Sequence, residues 1–220
     1  MKHSTPRSPH GNLAGLAELA DLPIGQMRQL RYQIATIAAR YVTEDGATYA
    51  IAKQKAAQQV IGAGRIPGAV LPDNALIEQQ ILVHNQLFLS DRQPQRLLSL
   101  RNLALEIMQE LAPFQPHLTG AVLNGTASLH DGIVIQLFVD NGKDVAIYLL
   151  NRGIRFDVSE ARPNVPGRQE PVETLSFTHH DEEIHLVLLA SDDLHRVSAK
   201  KSPRANISAV SKLIEESQSV

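Results

Sequence analysis

The chain contains no cysteine and no tryptophan among its 220 residues, and aromatic residues make up only 4% of it. The absence of cysteine excludes disulfides, thiolate metal ligands and a cysteine nucleophile. The scarcity of aromatic residues means that a core must rely on Leu, Ile, Val and Ala. Because apolar residues still account for 43% of the chain, we expect it to bury a real hydrophobic core.

The sequence also lacks a long apolar run. No stretch approaches the ~18 apolar residues that a membrane span requires. The first residues carry Lys2 and Arg7 without the apolar segment of a signal peptide. We therefore expect a cytoplasmic protein with no membrane partner and with a disordered tail over residues 1–11. The formal net charge of −2 argues against nucleic acid as a partner.

Helical periodicity dominates residues 12–112. The first apolar stripe recurs at intervals of three and four, as on one face of a helix, and comprises Met27, Leu30, Ile34, Ile37 and Tyr41. Three further helices are predicted at 48–61, from Asp73 to Leu89, and from Pro94 to a stop at Pro113. Short loops join these helices, so the region is expected to be bundle-like.

The periodicity changes in residues 113–220. Short apolar runs predict strands at 118–124, 133–139, 154–158, 172–177 and 184–189, and helical patterns lie at 143–151 and 206–216. Both faces of the second run are apolar, which places it centrally in a sheet. The predicted fold class is α+β, with the N-terminal helical part packed on a mixed β-sheet.

Residues 120–128 read GAVLNGTAS and resemble the signature loop of the polymerase-β-like nucleotidyltransferase superfamily. In that family a strand ends in Gly-Ser or Gly-Gly, and the next strand bears Asp-hydrophobic-Asp. The resemblance implies Mg²⁺-dependent nucleotide transfer on a mixed sheet. It also implies a nucleotide-binding loop at Gly125, Thr126 and Ser128, because backbone N–H groups and hydroxyls can hold phosphate oxygens. A plain glycine turn is the alternative interpretation.

The carboxylates that the family mechanism needs are mostly missing. Where Asp-x-Asp is expected, the chain has Gly132-Ile133-Val134. Asp131 stands one residue early, on the opposite face of a strand. It is a candidate catalytic residue, as is Asp157, and the candidate metal ligands are Asp140 and Asp157. The paired Asp-x-Asp positions thus hold no carboxylate. Since a lone carboxylate elsewhere cannot hold two metal ions, the resemblance implies a degenerate active site.

The resemblance extends towards the N-terminus and covers about residues 30–195. Residues 45–59 and 71–74 look like the helical half of uncharacterised proteobacterial proteins that share this C-terminal part. Such proteins are sometimes labelled UDP-N-acetylmuramate–alanine ligase. The sequence argues against that label, because it has no glycine-rich loop ending in Gly-Lys-Ser/Thr.

A dense group of histidines and acids lies around the predicted hairpin turn. It comprises His179, His180, Asp181, Glu182, Glu183 and His185. One interpretation is a zinc site. We favour a solvated turn, because neighbouring side chains on a hairpin turn are expected to point apart.

Three hypotheses of function follow from the sequence. The first is a catalytically degenerate nucleotidyltransferase-like protein that binds a nucleotide or a protein partner. The second is an active Mg²⁺-dependent enzyme with a rearranged site of Asp131, Asp140 and Asp157. The third is a non-enzymatic interaction protein whose partner contacts the N-terminal helices.

Overall fold

The computed structural model describes residues 22–62, 64, 66–88, 93–161, 171–196 and 203–218. The predicted tail over 1–11 lies outside these residues. The chain forms two compact units with a boundary between Phe88 and Leu89. The sequence predicts a boundary after residue 112, whereas this division groups the fourth helix with the second unit. The reason is that the fourth helix shares its hydrophobic core with the sheet.

The first unit consists of helices α1 (Ile24–Asp45), α2 (Tyr49–Ile61) and α3 (Asn74–Phe88), with a short 3₁₀ turn at Gly68–Val70. Gly46 ends α1 in the left-handed conformation at φ 63°, which glycine adopts without steric cost. The Thr48 hydroxyl accepts a hydrogen bond from Ile51 N–H, and the Asp73 carboxylate accepts one from Leu76 N–H at 2.8 Å. A side chain thus caps the start of each of these two helices.

The core of the first unit is rich in alanine. Its fully buried residues include Ala35, Ala38, Ala52, Ala56 and Ala57 beside Ile34, Ile77 and Ile81. Small side chains let the helices approach closely, and the isoleucines fill the remaining space. Ile77 and Ile81 of α3 are fully buried, whereas Phe88 at the end of the helix is 71% exposed.

The second unit contains a five-stranded sheet. Its helices are α4 (Gln93–Glu110), α5 (Gly120–Asn124), α6 (Gly142–Asn151), α7 (Asp193–Arg196) and α8 (Ile207–Gln218). The strands are β1 (His117–Thr119), β2 (Ile133–Phe138), β3 (Asp157–Ala161), β4 (Val172–His179) and β5 (Glu182–Leu189). Their order is β1-β2-β5-β4-β3. Only the β2–β5 pair among them is parallel, which makes this a mixed sheet.

Two predicted strands have different bounds in the structure. The run 118–124 is strand only to Thr119, and α5 follows directly. Gly120 has φ 75°, a left-handed conformation that interrupts the strand. The strand predicted at 154–158 begins at Asp157 instead. By contrast, β2 is internal, as its two apolar faces predict, and all of its residues except Val134 are buried.

Helix α4 covers the sheet with its apolar face. Leu100, Ala104 and Met108 belong to the same buried cluster as Ile133 and Ile135 of β2. This packing places the start of α4 beside the loop that leads into β2. None of the described helices combines the length and apolarity needed to cross a bilayer.

Candidate functional site

The predicted nucleotide-binding loop follows α5 and leads into β2. Gly125 ends α5 with φ 80°, and its N–H donates to the carbonyl of Ala121. Thr126 N–H donates to the same carbonyl at 3.0 Å. Two of the loop's N–H groups are therefore used by the chain itself.

The next part of the loop is closed by a carboxylate. Asp131 Oδ2 accepts hydrogen bonds from Ser128 N–H at 2.8 Å and from the Ser128 hydroxyl at 2.7 Å. His130 N–H donates to the Ser128 hydroxyl oxygen at 3.2 Å. The structure thus brings two predicted site residues together. In this arrangement Ser128 and Asp131 satisfy each other, as in an Asx- or Ser-type turn.

Thr126 is the unusual residue of the loop. Its side chain is 2% exposed, and its Oγ1 has no hydrogen-bond partner among the described residues. An unpaired buried hydroxyl destabilises a fold, commonly by about 1–3 kcal/mol. The hydroxyl is also shielded from any ligand unless the loop opens.

Helix α4 holds the carbonyl side of the loop. Gln93 Nε2 donates to the Gly125 carbonyl at 3.0 Å. Arg96 Nε donates to the Ser128 carbonyl at 3.4 Å, and the same guanidinium forms an ion pair with Glu182 at 2.7 Å. Sequence reasoning missed these contacts, because nothing in the helical pattern distinguishes Gln93 and Arg96 from solvent-facing residues.

Arg101 anchors α5 from the same helix. Its side chain is buried and donates to the carbonyls of Val122 and Leu123 at 3.2 and 3.3 Å, and to the Ser217 hydroxyl at 3.0 Å. Burial lowers the pKa of the guanidinium. These contacts satisfy the donors of the guanidinium and explain how an arginine occupies an inward position on α4.

Gly132 stands where the sequence resemblance predicts the first aspartate, and it has no room for a side chain. A Cβ atom on Gly132 would lie 2.6 Å from the backbone carbonyl oxygen of Glu183 and 3.1 Å from His185 Nε2. Real side chains do not tolerate such a distance to backbone, so β5 would have to move. At the second family position, Val134 pairs with His185 in the parallel ladder. Neither position supplies a carboxylate.

The three remaining candidate carboxylates are widely separated. Asp131 precedes β2, whereas Asp140 follows it, and the six residues of β2 span ~17 Å. Asp140 is exposed and accepts a hydrogen bond from Ser191. Asp157 is exposed on β3, at the opposite edge of the sheet. Three strand spacings separate β3 from β2, which is ~14 Å. The structure therefore does not gather these residues into one site.

The hairpin turn is solvent-exposed at His180 and Asp181, but two of its histidines do not point apart as the sequence predicts. The ring centroids of His179 and His180 lie 4.3 Å apart. His180 and Asp181 both have left-handed backbone, with φ 50° and 63°, and this turn brings the two rings together. Glu106 of α4 completes a group whose ligand atoms all lie within 4.8 Å of one another. The sequence could not reveal Glu106, because this residue is far from the hairpin along the chain and only the fold brings it close.

No protein-family model matches this chain, and no curated protein matches it either. The likeness to nucleotidyltransferases therefore depends on the loop residues and on the element order around them.

Proposed function

We propose that the chain is a catalytically degenerate nucleotidyltransferase-like protein, which acts by binding rather than by nucleotide transfer. The observation that carries the proposal is the close approach of Gly132 to the Glu183 carbonyl, at 2.6 Å from a hypothetical Cβ. A two-metal mechanism needs several carboxylate oxygens in one small cavity. At this position of the fold, the backbone of β5 fills the space that a carboxylate would use.

The state of the loop supports a protein partner over a nucleotide. Its N–H groups at Gly125, Thr126 and Ser128 already donate to acceptors within the chain. A phosphate would have to displace these bonds, and it would find the Thr126 hydroxyl buried. Nucleotide binding therefore requires an opened loop, with the loss of several hydrogen bonds.

The proposal is tested by incubating the full chain with Mg²⁺ and each labelled nucleoside triphosphate. We expect no transfer of label to the protein or to added acceptors. Calorimetric titration with ATP, CTP, GTP and UTP tests the nucleotide arm, for which we expect no heat of binding. Heat from one nucleotide that disappears in Thr126→Val would support the nucleotide arm instead.

A sharper variant addresses the missing carboxylates directly. We expect that Gly132→Asp combined with Val134→Asp destabilises the second unit and creates no transfer activity, because the first side chain collides with β5. The matched control is Gly25→Ala, since a Cβ there meets nothing within 4 Å. Mg²⁺-dependent transfer by the natural chain that is lost in Asp157→Ala would contradict the proposal. It would favour the rearranged site of Asp131, Asp140 and Asp157.

A second candidate function is a protein interaction through the N-terminal helices. It is favoured by large apolar side chains at the end of α3, where Leu87 is 68% and Phe88 71% exposed. Val83, one turn earlier, is 44% exposed on the same helical face as Leu87. A specific partner should be lost on Leu87→Asp with Phe88→Asp and retained on Gln86→Asp, an exposed polar control. If both variants retain the partner equally, this surface is not the binding site.

A further inference from the structure

We propose that Glu106, His179 and His180 form a binding site for a divalent transition-metal ion, with Zn²⁺ as the best match. The three side chains come from two separate elements, α4 and the β4–β5 hairpin. Each offers one ligand atom, and these atoms all lie within 4.8 Å of one another. This site is distinct from the loop at Gly125 and does not depend on nucleotide binding.

The arrangement of the two histidines is unusual for neighbouring residues at the end of a strand. Successive side chains on a strand point to opposite faces. Here His179 ends β4, and His180 enters the turn with φ 50°. The rings therefore meet edge to face, with centroids 4.3 Å apart and planes at 71°. Two-residue hairpin turns with positive φ at both positions strongly prefer Asn-Gly or similar pairs, so His-Asp here keeps an imidazole at conformational cost.

The chemistry of the donors selects the class of metal. Two imidazole nitrogens and one carboxylate oxygen suit Zn²⁺, Co²⁺, Ni²⁺ or Cu²⁺, whereas Mg²⁺ and Ca²⁺ prefer oxygen donors alone. A set of two histidines and one glutamate is a known zinc-binding combination. Because the chain has no cysteine, no thiolate competes for the ion.

The distances are compatible with coordination after a small adjustment. In a tetrahedral zinc site with ligand bonds of ~2.0–2.1 Å, neighbouring donor atoms lie ~3.3 Å apart. Donor atoms at the 4.8 Å limit would therefore have to approach by ~1.5 Å. Glu106 and His180 are exposed, so their side chains can rotate without disturbing the core.

The fold already holds the two elements together. Glu182, which pairs with His179 across the hairpin, forms an ion pair with Arg96 of α4 at 2.7 Å. This bond ties the hairpin to the helix that carries Glu106. Glu106 and His180 also line a cleft of about 350 Å³ with Asn102 and Glu182. Water or an external ligand from this cleft would complete a four-coordinate shell around the ion, as in open zinc sites.

The experiment is a calorimetric titration of the full, untagged chain with ZnCl₂, together with Co²⁺ absorption spectroscopy. We expect binding of one equivalent at this site and visible bands of four-coordinate Co²⁺. Glu106→Gln, His179→Gln and His180→Asn should each weaken Zn²⁺ binding by at least ~10-fold. Asn is chosen at position 180 because it tolerates the left-handed backbone.

The controls separate this site from other histidines. His130→Gln removes an exposed histidine outside the group and should leave the affinity unchanged. His3→Gln with His10→Gln should likewise retain the site. Zn²⁺ should raise the Tm of the natural chain and not that of His180→Asn, which checks the site in a folded variant. Affinity that is equal in the natural chain, Glu106→Gln and His180→Asn would overturn the proposal, as would the absence of binding.

Discussion

The guanidinium of Arg96 and the carboxylate of Glu182 form two parallel hydrogen bonds, with N–O distances of 2.7 and 3.0 Å. Arg96 also donates to the Ser128 carbonyl. One side chain thereby joins α4, the loop before β2 and the first residue of β5. About a quarter of each charged side chain is exposed, so solvent screens the pair only in part. Bidentate arginine–carboxylate pairs are among the stronger charged contacts in proteins.

We predict that Arg96 and Glu182 stabilise the second unit jointly. In a double-mutant cycle with Arg96→Met and Glu182→Gln, the coupling free energy should be ~1–2 kcal/mol, above the value for exposed pairs. Urea unfolding of the four proteins measures it. The exposed pair Lys212–Glu216 is the control and should couple by less than ~0.5 kcal/mol. Equal coupling for both pairs would contradict the prediction.

Arg101 should contribute more to stability than an arginine in a half-exposed ion pair. Arg101→Met keeps much of the volume but leaves the carbonyls of Val122 and Leu123 without their donor, so we expect a loss of ~2–4 kcal/mol. The control is Arg152→Met, since the Arg152–Glu110 pair is half exposed and should be worth at most ~1 kcal/mol. Chemical unfolding measures both. The prediction is wrong if the two losses are alike.

The α+β fold could be predicted from the sequence because its signals are local. Asp73 caps α3, Gly46 ends α1, and the β4–β5 hairpin turns between two alternating apolar runs. The strand predicted over 118–124 was wrong beyond Thr119, because Ala121, Val122 and Leu123 fit a short helix as well as a strand. Periodicity shows that α4 has an apolar face but not which core that face contacts, so it could not assign α4 to either unit.

The candidate site was less accessible to sequence reasoning. Ser128 donates two hydrogen bonds to Asp131, which is only three residues away. Because the contact is local, a turn motif could have suggested it. The contacts of Arg96 and Glu106 depend on how α4 lies against the hairpin, and no local pattern encodes that placement. The proximity of His179 to His180 depends on positive φ angles at the turn. A His-Asp pair is not a sequence signal for such angles.

The stability of the second unit should decrease as the pH falls below neutrality, and His117 should be one cause. Burial lowers the pKa of His117, and the charge of Arg204 lowers it further, while the hydrogen bond to the Gln115 carbonyl opposes both. The unfolded chain therefore binds a proton more readily than the folded one as the pH falls through ~6.5. His117 thus has no effect above that pH and destabilises the fold progressively below it.

The measurement compares urea unfolding at about pH 7.5 and about pH 5.5, on either side of the ordinary histidine pKa, for the natural chain and His117→Gln. The loss of stability between the two values should be smaller in the variant. His130→Gln, at an exposed histidine, is the matched control and should behave like the natural chain. A loss in His117→Gln that equals the natural one would exclude His117 as the cause.

The buried hydroxyl of Thr126 distinguishes a closed loop from a ligand-binding loop. In the closed loop Oγ1 has no hydrogen-bond partner in the part of the chain that the structure describes. Thr126→Val therefore removes a desolvated polar atom while keeping the shape, and it should stabilise the second unit by ~1 kcal/mol. The control is Thr119→Val. Its hydroxyl donates to the Pro203 carbonyl at 2.9 Å, so this change should cost ~0.5–1.5 kcal/mol. If Thr126→Val is instead destabilising, the hydroxyl has a partner in solution. That partner would be water or a bound anion held inside the loop. Added inorganic phosphate separates the two, because only an anion site would raise the Tm of the natural chain and not that of Thr126→Val.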